Sequence, residues 1–169
     1  MSDLTHRESI LIEASPEAVY DLVSDVTRTG EWSPVCKRCW WDEGAKGVVG
    51  DVFTGRNVLP ERTWETRCTV IAADRGREFG WIVGDNLVRW VYSMQAEGNG
   101  TRLTEAWEFL PDGITFISGR YPDTAKAEIA ARIERAHHGI TETLGAMKRL
   151  AESGRALKGR DWPPPGRAS

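Results

Sequence analysis

The chain has 169 residues, with 22 Lys and Arg against 25 Asp and Glu and a formal net charge of −3. That balance gives no electrostatic footprint for nucleic acid, and no nucleic-acid partner is expected. The length suits one domain that buries roughly 70% of its unfolded surface. No apolar run is long enough to span a bilayer, and residues 1–6 lack a basic, apolar leader, so the expectation is a cytoplasmic protein without stable membrane insertion.

Residues 4–14 read as a strand on which His6 and Glu8 share the face of Ile10 and Ile12. A short helix follows from Pro16 to about Val26. Ser15 is its N-cap, Pro16 takes the first helical position and Glu17 sits at the positive end of the dipole. Val19, Leu22, Val23 and Val26 recur at helical spacing. Residues 27–34 make a second helical turn and a loop ending on Glu31-Trp32-Ser33-Pro34.

Strands are expected at 35–43, 51–58, 64–72, 78–83, 87–96 and 101–110, with Asn99-Gly100 a strong hairpin signal. This spacing predicts an antiparallel meander. Residues 123–153 then form a long helix with Ile129, Ile133, Ala136, Ile140, Leu144, Met147 and Ala151 on one stripe. The helix is expected to stop before Gly154, which sets a domain over 1–154 and a flexible, proline-rich tail over 155–169. A sheet of this length has to curl, and the long helix is the element that can cover its concave face. Any gap between the two is a pocket.

Three cysteines are too few for a disulfide framework. Cys36 and Cys39 fall on a strand, where positions three apart point to opposite faces, so they are expected to be unrelated thiols and not a metal grip. The chain has no Gly-x-Ser-x-Gly elbow, no Walker or dinucleotide glycine pattern and no metal-ligand cluster, so neither cofactor nor metal is expected.

Several segments carry a resemblance: IEASPEAVYDLVSD at 12–25, EWSP at 31–34, VGDVFTGRN at 49–57, WETRCTV at 64–70 and GTRLTEAWE at 100–108. In this order they resemble the START/Bet v 1-like (SRPBCC) superfamily, and within it the polyketide cyclase/dehydrase and lipid-transport group of small bacterial proteins. The resemblance implies an α+β helix-grip fold. That fold is a curved antiparallel sheet of six to seven strands wrapped around a long C-terminal helix, with two short helices after the first strand. It implies a cavity for a small hydrophobic partner that is lipid-like, quinone-like or aromatic and polyketide-like. A cyclase or aromatase role and a protein-interaction or assembly role are alternatives on the same scaffold. The shared motifs are turn glycines, a cap and core aromatics, which do not choose between enzyme and carrier or set the oligomeric state.

Strand parity proposes the cavity wall. It assigns Phe53 and Asn57 to one strand, Trp64 to the next, and Trp81, Trp90 with Tyr92, and Trp107 to those that follow. Trp32 is expected at the wall or mouth, and Ile133, His137 and Ile140 along the helix. Eight tryptophans suit either an open pocket or a bulky core. Glu105, between Leu103 and Trp107 on an apolar face, is the candidate catalytic acid or base, with Tyr92 or His137 assisting. It is equally a structural carboxylate. His6 is a further candidate base.

Overall fold

The structure is a computed structural model that describes residues 2–158. The first strand, β1 (Thr5–Ile12), leads into helix α1 (Pro16–Val23). The Ser15 hydroxyl oxygen accepts from the Ala18 N–H at 3.2 Å, as the cap sequence requires. A 3-10 segment (Val26–Glu31) follows, capped by Asp25. Six strands come next: β2 (Cys36–Trp41), β3 (Val52–Leu59), β4 (Arg62–Asp74), β5 (Glu78–Val83), β6 (Val88–Glu97) and β7 (Gly100–Phe109). Helix α2 (Pro111–Arg120) and the long α3 (Ala125–Lys158) complete the described chain.

The seven strands form one antiparallel sheet in the order β1-β7-β6-β5-β4-β3-β2. Strands β2 to β7 are therefore a continuous meander, and α1 with the 3-10 segment carries the chain from one sheet edge to the other. The β6–β7 hairpin pairs Glu97 with Gly100, so its two central residues are Gly98 and Asn99. Gly98 takes φ +58°, at the position where type II′ turns select glycine. The turn is thus one residue earlier than Asn99-Gly100 suggested.

The interior is unevenly filled. Ile12, Val19, Val70, Phe79, Leu103, Ile140 and Met147 are sealed from solvent and close the end of the molecule nearest α1. Along α3 the stripe is fully buried at Ile140, Leu144 and Met147, while Ile129 and Ile133 are only partly covered. The first half of α3 therefore stands away from the sheet, and space remains beneath it.

Two expectations change. Helix α3 runs through Gly154 to Lys158. A mid-helix glycine costs only about 1 kcal/mol, which strong helix formers on both sides of it offset. The remainder of the expected tail, with Trp162 and Pro163 to Pro165, lies outside the described residues. Helix α2 was not anticipated at all, although Pro111 at its first turn and Asp112 beside it are start signals. Among the described residues no helix is long and apolar enough to cross a membrane.

Candidate functional site

A cavity of about 670 Å³ lies between the concave sheet face, the 3-10 segment, α2 and the first half of α3. Small-molecule sites commonly measure roughly 300–1,000 Å³. Antiparallel register builds its wall in rows. Trp81 pairs with Trp90, and Trp90 with Trp107, so three indoles from three strands stand side by side. Their ring centroids are 6.3 and 6.5 Å apart. Phe53 meets Trp81 edge-on at 5.7 Å and extends the band onto β3. Trp32, Asn57 and Trp64 also line the space. Trp64, Trp81 and Trp90 are only half-buried despite facing inward, because they border open volume instead of packed atoms.

The next row carries the polar chemistry. Tyr92 pairs with Glu105, and Glu105 with Glu8. Tyr92 Oη donates to Glu105 Oε1 at 3.0 Å, while the buried Glu105 Oε2 has no protein partner. Burial pushes the Glu105 carboxyl up to about 8 against the opposing hydrogen bond from Tyr92, and the Glu8 charge adds to the rise. Near neutral pH it is therefore mainly a protonated acid. The Tyr92 hydroxyl is held well above its usual range by burial and by the Glu105 charge.

An arginine group that parity did not anticipate completes the site. Arg62, Arg120, Arg132 and Arg135 all border the cavity. Arg62 donates to Tyr121 Oη at 3.2 Å and to Glu128 Oε2 at 3.3 Å, and stacks over Trp64. Arg132 shares Glu128. One carboxylate thus serves two guanidinium groups. Burial, with Arg132 and Arg62 nearby, lowers the pKa of Arg135. Gly113, Phe116 and Ile117 of α2 also border the space. Only a chain reversal after β7 brings these residues round, and nothing in local periodicity signals it.

Helix α3 presents a different face from the one expected. Ile133, His137 and Ile140 do not line the cavity; Ala136, Gly139 and Thr143 do. The large apolar stripe turns toward the closed core, leaving the small flank at i, i+3 and i+7 over the space. His137 stacks on His6 with ring centroids 4.0 Å apart, and lies edge-on to Trp107. His6 in turn is 2.9 Å from Glu8, whose carboxylate accepts from the Thr141 hydroxyl. The two histidines pack α3 against β1.

The cysteine expectation is also corrected. Cys36 and Cys39 lie on the same side of β2, with Sγ atoms 3.4 Å apart, because the register shifts between Cys36 and Arg38. A bulge inserts one residue and reverses the parity. Among the described residues no group of three or more potential ligands is placed to hold a metal.

The profile of the polyketide cyclase/dehydrase and lipid transport family matches residues 4–152. The chain belongs to this family. The solution structure of a polyketide-cyclase-like protein from Corynebacterium glutamicum is 52% identical, with a TM-score of 0.69, covering 95% of this chain and 98% of that one. The di-domain ARO/CYC StfQ of the steffimycin biosynthetic pathway is 12% identical at a TM-score of 0.68, over 90% of this chain and 52% of that one. Ara h 8.0201 is 16% identical at a TM-score of 0.57, over 88% and 97%. No match was found among curated proteins. The last two structures speak to fold alone, and the fold is that of the SRPBCC/Bet v 1-like superfamily. Family and fold support a ligand-binding or cyclase role for this member.

Proposed function

We propose that the protein binds an elongated, flat aromatic or polyketide-like molecule with an acidic end. The supporting observation is the row of Trp81, Trp90 and Trp107, the first two half-buried and the third buried, along about 670 Å³ of space. Indole faces take flat apolar bodies, and a mostly apolar pocket of this volume suits a small molecule. The acidic end follows from the arginines at the border, where Arg62 and Arg132 share Glu128 and Arg135 is partly desolvated. Guanidinium groups in that setting favour carboxylate or phosphate. An interaction module would instead present a collapsed interior.

The test is native mass spectrometry of protein purified from its own host, followed by chemical-shift mapping with the recovered compound. Shifts concentrated at Trp81, Trp90, Trp107 and Arg135 are expected. Shifts scattered over the convex face would overturn the reading.

A second reading is favoured by one feature, the free Oε2 of a carboxyl that is protonated near neutral pH. Glu105 would lend its proton to a ligand carbonyl and recover one from a ligand carbon, the exchange needed for ring closure in a folded poly-ketone chain. Tyr92 orients the carboxyl. Glu105→Gln should then keep ligand affinity and lose product formation. A variant that cyclises at the wild-type rate removes this role and leaves binding untouched.

A further inference from the structure

Cys36 and Cys39 belong to no part of the proposed ligand chemistry, yet they are built into the same wall. The β2 bulge turns both sulfurs inward to a separation of 3.4 Å. The facing strand makes room for them at Gly55, the cross-strand partner of Cys39. A Cβ at that position would lie 3.1 Å from Cys36 Sγ and 3.4 Å from Cys39 Sγ. Any larger residue at position 55 would therefore crowd the pair.

The two thiols are not equivalent. The hydrogen bond from Cys36 lowers the pKa of Cys39 against the effect of burial, with Thr29 helping. The same hydrogen bond, then burial and the Cys39 charge, hold the proton on Cys36. Of the two, Cys39 is the thiol that ionises first, with Cys36 the neutral donor beside it. Cys68, by contrast, is pushed up to about 12 by burial.

We propose that Cys36 and Cys39 form a dithiol site that hydroperoxides entering the cavity oxidise to an intrachain disulfide. The Cys39 thiolate attacks the terminal oxygen of the hydroperoxide. A sulfur–oxygen bond forms, the oxygen–oxygen bond breaks, and the alkoxide leaves as the alcohol after taking up a proton. Cys39 is then a sulfenic acid. Cys36 attacks that sulfur, the sulfur–oxygen bond breaks, and the hydroxyl departs as water with the Cys36 proton. In sum, two thiols and one hydroperoxide give a disulfide, an alcohol and water, with two electrons passing from sulfur to oxygen. Closure brings the sulfurs from 3.4 Å to about 2.05 Å. The aromatic wall suits an apolar hydroperoxide and disfavours a charged, bulky disulfide such as oxidised glutathione.

The experiment treats the whole protein with equimolar cumene hydroperoxide and digests it with trypsin without reduction. Lys37 and Arg38 lie between the cysteines, so cleavage after each leaves the peptides 29–37 and 39–46 joined only by the new bond. The joined pair is expected in the native protein and in Cys68→Ser, with loss of two hydrogen masses from the intact chain. In Cys36→Ser, Cys39 should stop at the sulfenic acid and take a dimedone label. Retention of all three thiols would overturn the proposal, as would a bond that involves Cys68 or a second chain. Each readout is covalent, so a failure to bind an aromatic ligand leaves this result unaffected, and the reverse holds too.

Discussion

The Tyr92 hydroxyl donates to one oxygen of Glu105 across the β6–β7 pairing and leaves the other, buried oxygen without a protein partner. A carboxyl so placed ties stability to pH. Its folded pKa lies near 8 against a usual value of 4.5. Below 4.5 both folded and unfolded chains are protonated there, and the neutral group is accommodated in full. As pH rises from 4.5 toward 8 the unfolded chain releases the proton while the folded chain keeps it, so stability falls.

Glu105→Gln removes this titration while preserving an acceptor for Tyr92. Its stability relative to the native protein should rise between pH 4.5 and 8 by up to about 1.4 kcal/mol per pH unit. Urea melts at four pH values measure it. A flat difference would place the carboxyl pKa near its ordinary value.

Trp90 should matter more for ligand than for fold. It faces open volume, so Trp90→Ala is expected to weaken a flat aromatic probe by roughly tenfold, about 1.4 kcal/mol. Phe79→Ala should behave oppositely, since Phe79 is sealed from solvent, and lose about 3–5 kcal/mol of stability. Titration with N-phenyl-1-naphthylamine and thermal melts separate the two effects.

Arg135 should discriminate charge. Anilinonaphthalene sulfonate and N-phenyl-1-naphthylamine share one aromatic body and differ by the sulfonate. Arg135→Ala is expected to weaken the anionic probe roughly tenfold and to change the neutral one by less than about twofold. Equal losses for both would remove the acidic end from the proposed ligand.

Gly30 holds the 3-10 segment against β2. A Cβ there would be driven into the Lys37 carbonyl oxygen, which is backbone and cannot rotate away. Gly30→Ala should cost about 1–3 kcal/mol and loosen Trp32 at the cavity wall. Urea unfolding gives the first quantity and the indole N–H chemical shift of Trp32 the second.

Much of the site was legible because strand parity is a local property. Once Leu103, Glu105, Trp107 and Phe109 alternate with outward residues, inward placement of Glu105 follows, and the structure buries it. Parity failed where the period broke. The β2 bulge brought Cys36 to the side of Cys39, and no composition signal marks such an insertion. Helical periodicity also located a stripe without saying what it meets. Ile140 went to the closed core and His137 to His6, while the unremarkable Gly139 reached the cavity.

The sequence by itself determined the capped first helix, the succession of strands, the long amphipathic helix and the inward face of the strands other than β2. These depend on spacing, turn residues and caps within a few positions of one another. Only the tertiary structure decided that Trp90 stands between Trp81 and Trp107, that Tyr92 reaches Glu105, and that Arg62 and Arg132 share Glu128. Those neighbours are set by cross-strand register and by the angle at which α3 leaves the sheet, and both are outcomes of the whole chain packing at once.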